Sequence, residues 1–126
     1  MTHSGLAAFV LAASCLILPA TAAAAGDAAA GAQIFKAQCG ACHATEAGTI
    51  RIGPSLFGVL GRKAGSVAGF RYSTANRNAG ITWDAEVLDK YLTNPQAVVP
   101  GTIMPYAGLK NDAQRANLIA YLATLE

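Results

Sequence analysis

Cys39-Gly40-Ala41-Cys42-His43 is a C-x-x-C-H run, and this spacing does more than any other feature to limit what the chain can become. Two thiols three residues apart can add across the two vinyl groups of one porphyrin, and the adjacent imidazole then falls beneath the iron. The run thus specifies a covalent haem, its anchoring chemistry and one axial ligand. C-x-x-C also serves thioredoxin-like folds and halves of zinc sites. The first needs a βαβ context that the sequence lacks. The second needs four ligands, and outside the run the only other cysteine and histidine are Cys15 and His3. Zinc and a disulfide remain the alternatives to haem.

Both of those residues lie in a segment that reads as a secretory signal. Leu6 to Leu18 is apolar and uncharged, Pro19 closes it, and Thr21-Ala22-Ala23-Ala24-Ala25 follows. The run is shorter than the ~20 residues that span a bilayer as a helix, and cleavage after Ala25 satisfies the small-x-small rule. Met1 to Gly5 contains no Lys or Arg, a departure from the usual signal, and an uncleaved anchor is the alternative. The expected division is a signal at 1–25 and one domain at 26–126, exported to the bacterial periplasm and not membrane-spanning after cleavage.

All nine Lys/Arg and all seven Asp/Glu fall in 26–126, for a net charge of +2. Two haem propionates would bring this near neutrality. No basic run or stripe is present, which argues against nucleic acid. So short a domain buries a limited core, and a porphyrin would supply much of its apolar centre.

The periodicity predicts an all-α domain of about four to five helices with long loops. One helix is expected over Asp27 to Gln38 from an N-cap candidate and Ala-rich sequence. A second is expected over Thr82 to Thr93, with Thr82 as cap, Asp84 and Glu86 in the first turn, and Pro95 as its end. A third is expected over Asn111 to Leu125, and a short one near Ser73 to Asn78. Residues 50–69 and 96–109 are rich in Gly and Pro and read as loops, and no alternating stretch argues for a sheet.

The sixth iron position separates a carrier from a catalyst. Residues 26–126 contain one methionine, Met104, within Pro100-Gly101-Thr102-Ile103-Met104-Pro105-Tyr106. A lone loop methionine is often a gap filler. With His43 the only histidine after residue 25 and both later thiols committed, Met104 is the one good soft ligand, a lysine being the competitor if the loop opens. His and Met together form the cytochrome arrangement, in which the thioether raises the potential.

Ordered blocks across residues 26–126 resemble a class I cytochrome c of the mitochondrial-like bacterial type, the cytochrome c-two group. They include Gly31-Ala32-Gln33-Ile34-Phe35, Gly53-Pro54-Ser55-Leu56, Gly58-Val59-Leu60-Gly61-Arg62-Lys63, Gly80-Ile81-Thr82-Trp83, Tyr91-Leu92-Thr93-Asn94-Pro95, the Met104 loop and Leu118-Ile119-Ala120-Tyr121-Leu122. The resemblance implies a monomeric helical fold wrapped around one covalent haem c and its iron, acting as a one-electron carrier rather than an enzyme. It implies thioether links at Cys39 and Cys42, with His43 and Met104 as the metal ligands. The Pro54 carbonyl would accept from His43 Nδ1 and fix the ring. Tyr72 and Trp83 would hydrogen-bond a buried propionate whose charge Arg62 offsets, and Asn76 and Tyr91 would line the Met104 side. Gly31 and Phe35 would meet Leu118 and Tyr121 where the terminal helices cross.

The partners such a carrier implies are a quinol:cytochrome c oxidoreductase, a terminal oxidase, a photosynthetic reaction centre or a periplasmic dehydrogenase. Mitochondrial members ring the exposed haem edge with lysines that steer docking. Here the matching positions include Gln38, Gln96, Ala97, Ile103 and Asn111, leaving Lys36, Lys110 and Lys63 nearby. Docking is therefore expected to be more apolar and less sensitive to salt. A haem peroxidase and a gas-sensing module are the rival classes, and no distal His or Arg pair resembles the former.

Overall fold

Asp27 starts the first helix by accepting backbone N–H bonds from Ala29 and Ala30 at 2.9 and 3.1 Å. These satisfy donors that a helix N-terminus leaves without partners. Helix α1 then runs Ala28–Gln38. The computed structural model describes Met1 and residues 25–126, so the signal reading at 1–25 lies almost wholly outside the described residues. Four further helices follow: α2 Thr74–Arg77, α3 Ala85–Thr93, α4 Pro95–Val98 and α5 Asp112–Leu122. Among the described residues the only extended pairing is an isolated antiparallel bridge between Lys63 and Thr82, so the all-α expectation holds. No helix among them is long and apolar enough to cross a membrane.

Three boundaries differ from the sequence expectation, each for a local reason. Helix α3 begins at Ala85 because Thr82 is taken by the bridge to Lys63. Asp84 caps it instead, accepting from Val87 N at 2.8 Å. Helix α5 is capped by Asn111 as expected but stops at Leu122, short of Leu125. Beyond it, Thr124 Oγ1 donates to the Tyr121 carbonyl at 2.6 Å, and the Leu125 carbonyl accepts from Gly58 N at 2.5 Å. Residues 95–98 form a helix rather than loop, with Pro95 at its first turn. Proline fits there because its fixed φ suits a helix start and its missing N–H has no intrahelical partner to lose.

The terminal helices α1 and α5 pack against each other. Their approach depends on Gly31, where a Cβ would overlap the Asn117 carbonyl and lie 2.8 Å from Tyr121 Cβ. Asn117 Oδ1 also accepts from Asp27 N at 2.7 Å, which ties the start of α1 to the middle of α5. Phe35 and Tyr121 stack at 5.4 Å between ring centroids with a tilt of 55°, and Leu118 is fully buried behind them. Helix α3 joins this pair through Leu88, Tyr91 and Leu92. Arg115, buried on α5, bonds to Asp89 of α3 at 2.6 Å and to the Leu109 carbonyl at 2.9 Å. The same guanidinium also pairs with Asp112 at 2.9 Å. This network fixes the end of the long 99–111 connection against two helices.

Candidate haem site

The C-x-x-C-H run is the unravelling end of α1. Cys39 N and Gly40 N both donate to the Phe35 carbonyl at 2.8 Å, and His43 N donates to the Cys39 carbonyl at 2.9 Å. A single turn thus holds Cys39, Cys42 and His43 together. The chain then loops out and returns, with Gly53 N donating to the Cys42 carbonyl at 2.8 Å. Arg51 Nη1 donates to the Gly40 carbonyl at 3.0 Å, closing the loop from the other side.

This return sets the His43 imidazole. Its Nδ1 donates to the Pro54 carbonyl at 2.7 Å. A carbonyl can only accept, so Nδ1 carries the proton and Nε2 keeps its lone pair. Burial also pushes the His43 pKa down, outweighing the Pro54 bond that favours the charged ring, and the Arg62 charge adds to the lowering. The neutral ring is the form that can ligate iron. Gly53 presses on its face: a Cβ there would come 2.7 Å from His43 Nδ1. Cys39 and Cys42 form no disulfide with each other. Burial and the neighbouring Cys42 push the Cys39 pKa up to about 11.

These residues line a cavity of about 290 Å³ in the centre of the molecule. Val59, Leu88, Leu92, Leu118 and Leu122 form its apolar wall. Ile52 and Ile103 also line it yet are 75% and 70% exposed, so they mark its mouth. A cavity with this apolar lining suits a large apolar group.

The polar atoms on the wall are few and specific. Arg62 donates to the Ser55 and Phe57 carbonyls at 3.0 and 2.8 Å, while its Nε is buried without a partner among the described residues. Burial lowers the Arg62 pKa, and the Tyr72 phenol lies close enough to oppose that shift. An anion beside this guanidinium would supply its missing acceptor. Trp83 sits next to it because Trp83 N donates to the Arg62 carbonyl at 2.9 Å. Its indole also packs on Tyr91 at 4.7 Å. Asn76 Oδ1 is the other buried side-chain atom lacking a partner among the described residues. A haem fits this donor set: two thiols, one neutral imidazole, one thioether, and a half-buried guanidinium whose Nε lacks an acceptor among the described residues.

Met104 reaches the same cavity from the connection between α4 and α5. The Tyr91 hydroxyl donates to its sulfur at 3.9 Å. Of the ten cofactor-binding candidates, nine line the cavity: Cys39, Cys42, His43, Pro54, Arg62, Asn76, Trp83, Tyr91 and Met104. Tyr72 is not on the wall. Its hydroxyl accepts from Val67 N at 3.1 Å, with its own proton still available to donate. Gln38, Tyr106, Ile52 and Ile103 line the cavity too. Sequence reasoning placed Gln38 and Ile103 on the docking edge only, and it assigned no role to Ile52 or to the Tyr106 side chain.

Comparison with known proteins gives a consistent picture. The family model for Cytochrome c matches residues 28–126. Cytochrome c2 of Rhodomicrobium vannielii is 53% identical over 110 residues, covering 86% of this chain and 87% of that protein. Cytochrome c2 iso-2 of Magnetospirillum fulvum is 54% identical over 87 residues, covering 69% and 91%. Cytochrome c of Euglena viridis is 46% identical over 101 residues, covering 80% and 99%. This chain therefore belongs to the cytochrome c family, and it is an electron carrier built on covalently attached haem c rather than an enzyme.

Proposed function

We propose that this chain carries single electrons between redox proteins of the bacterial periplasm through a haem ligated by His43 and Met104, residues 1–25 being removed on export. The observation that carries the ligand assignment is the meeting of two soft donors in one apolar cavity. One is an imidazole whose Nδ1 is held by Pro54, and the other is the thioether of Met104.

When bound, the haem supplies a one-electron ferric/ferrous couple. Cys39 and Cys42 would fasten it to the end of α1, the helix packed against α5. Pro54 and Gly53 hold the His43 ring in one orientation, and the Pro54 bond strengthens it as a donor. Tyr91 donates to the Met104 sulfur and orients it. His43 and Met104 would together hold the iron and leave O₂ and peroxide no open position on it. Arg62 and Trp83 would provide polar contacts for the propionates and Asn76 would line the Met104 side, with Tyr72 reaching a propionate only from outside the cavity wall. A dry pocket disfavours the extra positive charge of the ferric state and so raises the potential.

The electron donors and acceptors on this reading are quinol-oxidising complexes, terminal oxidases, reaction centres or periplasmic dehydrogenases. They dock on the face where Ile52 and Ile103 project. Met104→Ala tests the coordination: the potential should fall by more than about 100 mV, the range over which axial ligands act being several times larger. Added imidazole should also bind the ferric protein at once. A variant that keeps the native potential and takes up no imidazole removes Met104 from the iron.

A further inference from the structure

The 99–111 connection that carries Met104 contains neither helix nor strand. Around the methionine its own backbone bonds are few: Thr102 N to the Val99 carbonyl at 3.0 Å and Tyr106 N to the Met104 carbonyl at 2.9 Å. Side chains brace it from both ends. Upstream, Gln96 Nε2 donates to the Thr102 carbonyl at 2.9 Å, and Gln96 Oε1 accepts from Gly101 N at 3.2 Å. Downstream, the Tyr106 hydroxyl donates to Gln38 Oε1 at 2.6 Å across 68 positions of sequence. Gln38 is the last residue of α1 and stands directly before Cys39. Tyr106 stands two residues after Met104, and both Gln38 and Tyr106 line the cavity.

This contact joins the segment that holds the first thioether cysteine to the segment that holds the sulfur ligand. Helix α1 is locked against α5, which anchors the Gln38 backbone while its side chain stays exposed, whereas the Met104 segment has neither helix nor strand. We infer that the Tyr106–Gln38 hydrogen bond is a latch that holds the Met104 loop closed over the haem, which makes both side chains positioning residues for the iron–sulfur bond. The inference rests on Met104 being a ligand. A tyrosine hydroxyl can donate and a glutamine amide oxygen can only accept, so the direction of the bond is fixed. Tyr106→Phe removes it while keeping the ring. Gln38→Leu removes the acceptor, and Gln38→Glu retains one.

The test uses ferric holoprotein and added imidazole, with loss of the near-infrared thioether-to-iron absorption as the readout of loop opening. Tyr106→Phe and Gln38→Leu should each bind imidazole about fivefold faster than the native protein, the effect of one hydrogen bond. The double variant should be no faster than either single one, and Gln38→Glu should stay within about twofold of native. Denaturant midpoints of the same proteins separate loop opening from global unfolding. Native rates in both single variants, additive effects in the double, or rates that follow only the midpoints would overturn the latch and leave Met104 ligation standing. Absence of the near-infrared band from the native protein overturns the ligand reading, and the latch with it.

Discussion

Gly53 shows how a single backbone position can set the orientation of a candidate ligand ring. Its amide closes the loop onto the Cys42 carbonyl at 2.8 Å, and its missing side chain leaves room for the His43 ring. The next residue, Pro54, then presents its carbonyl to Nδ1. Gly53→Ala would force the ring or the loop aside, because the atoms it meets are those of a ring pinned by its own hydrogen bond. We expect a loss of about 1–3 kcal/mol in denaturant unfolding, as for other overpacked sites. The Nδ1–H proton resonance of His43 should shift as its bond to Pro54 lengthens. A variant with native stability and an unmoved resonance would show that the loop can yield freely. The sequence displayed the candidate ligands, because C-x-x-C-H and a lone later methionine stand out by residue type and spacing, and the fold brings them to one cavity. It did not display why Gly53 is glycine, since that reason lies ten residues away in another side chain.

At the scale of elements, the helices legible in the sequence are those whose signals are local. Asp27 and Asn111 announce α1 and α5 as caps, and the apolar spacing of Leu88, Tyr91 and Leu92 announces α3. Helix α4 is four residues long, too short for any period to register. The choice between Thr82 and Asp84 as the α3 cap was decided by a bridge to Lys63, which no local rule can see. The α1–α5 crossing at Gly31 was expected only through the family resemblance, and it carries a sharp prediction. Gly31→Ala would place a Cβ against the Asn117 backbone, where no flexible side chain can move away. The helices must separate, and the loss should exceed about 2 kcal/mol despite alanine's better helix propensity. Asp27→Ala should cost only about 1 kcal/mol, the worth of an N-cap. Chemical denaturation of both variants checks the ordering; an equal or reversed loss would mean that the crossing is looser than the geometry implies.

For the whole molecule, charge and apolar exposure point to the same kind of encounter. The net charge is +2, and two nearby cations are engaged with backbone: Arg51 with the Gly40 carbonyl and Lys110 with the Thr93 carbonyl. Ile52 and Ile103 stand 75% and 70% exposed at the mouth of the haem cavity. Long-range steering weakens with few charges and is screened within about 10 Å at 0.1 M salt. Contact area at the apolar mouth should therefore dominate affinity. We expect the second-order rate of reduction by a quinol:cytochrome c oxidoreductase to fall less than about threefold between 0.05 and 0.5 M salt. Ile52→Ser and Ile103→Ser should each lower that rate by about tenfold through lost apolar burial. Ile103→Lys should restore part of the rate at low salt only, converting an apolar contact into a screened one. A steep salt dependence in the native protein, together with indifference to both serine substitutions, would place docking on the cations instead.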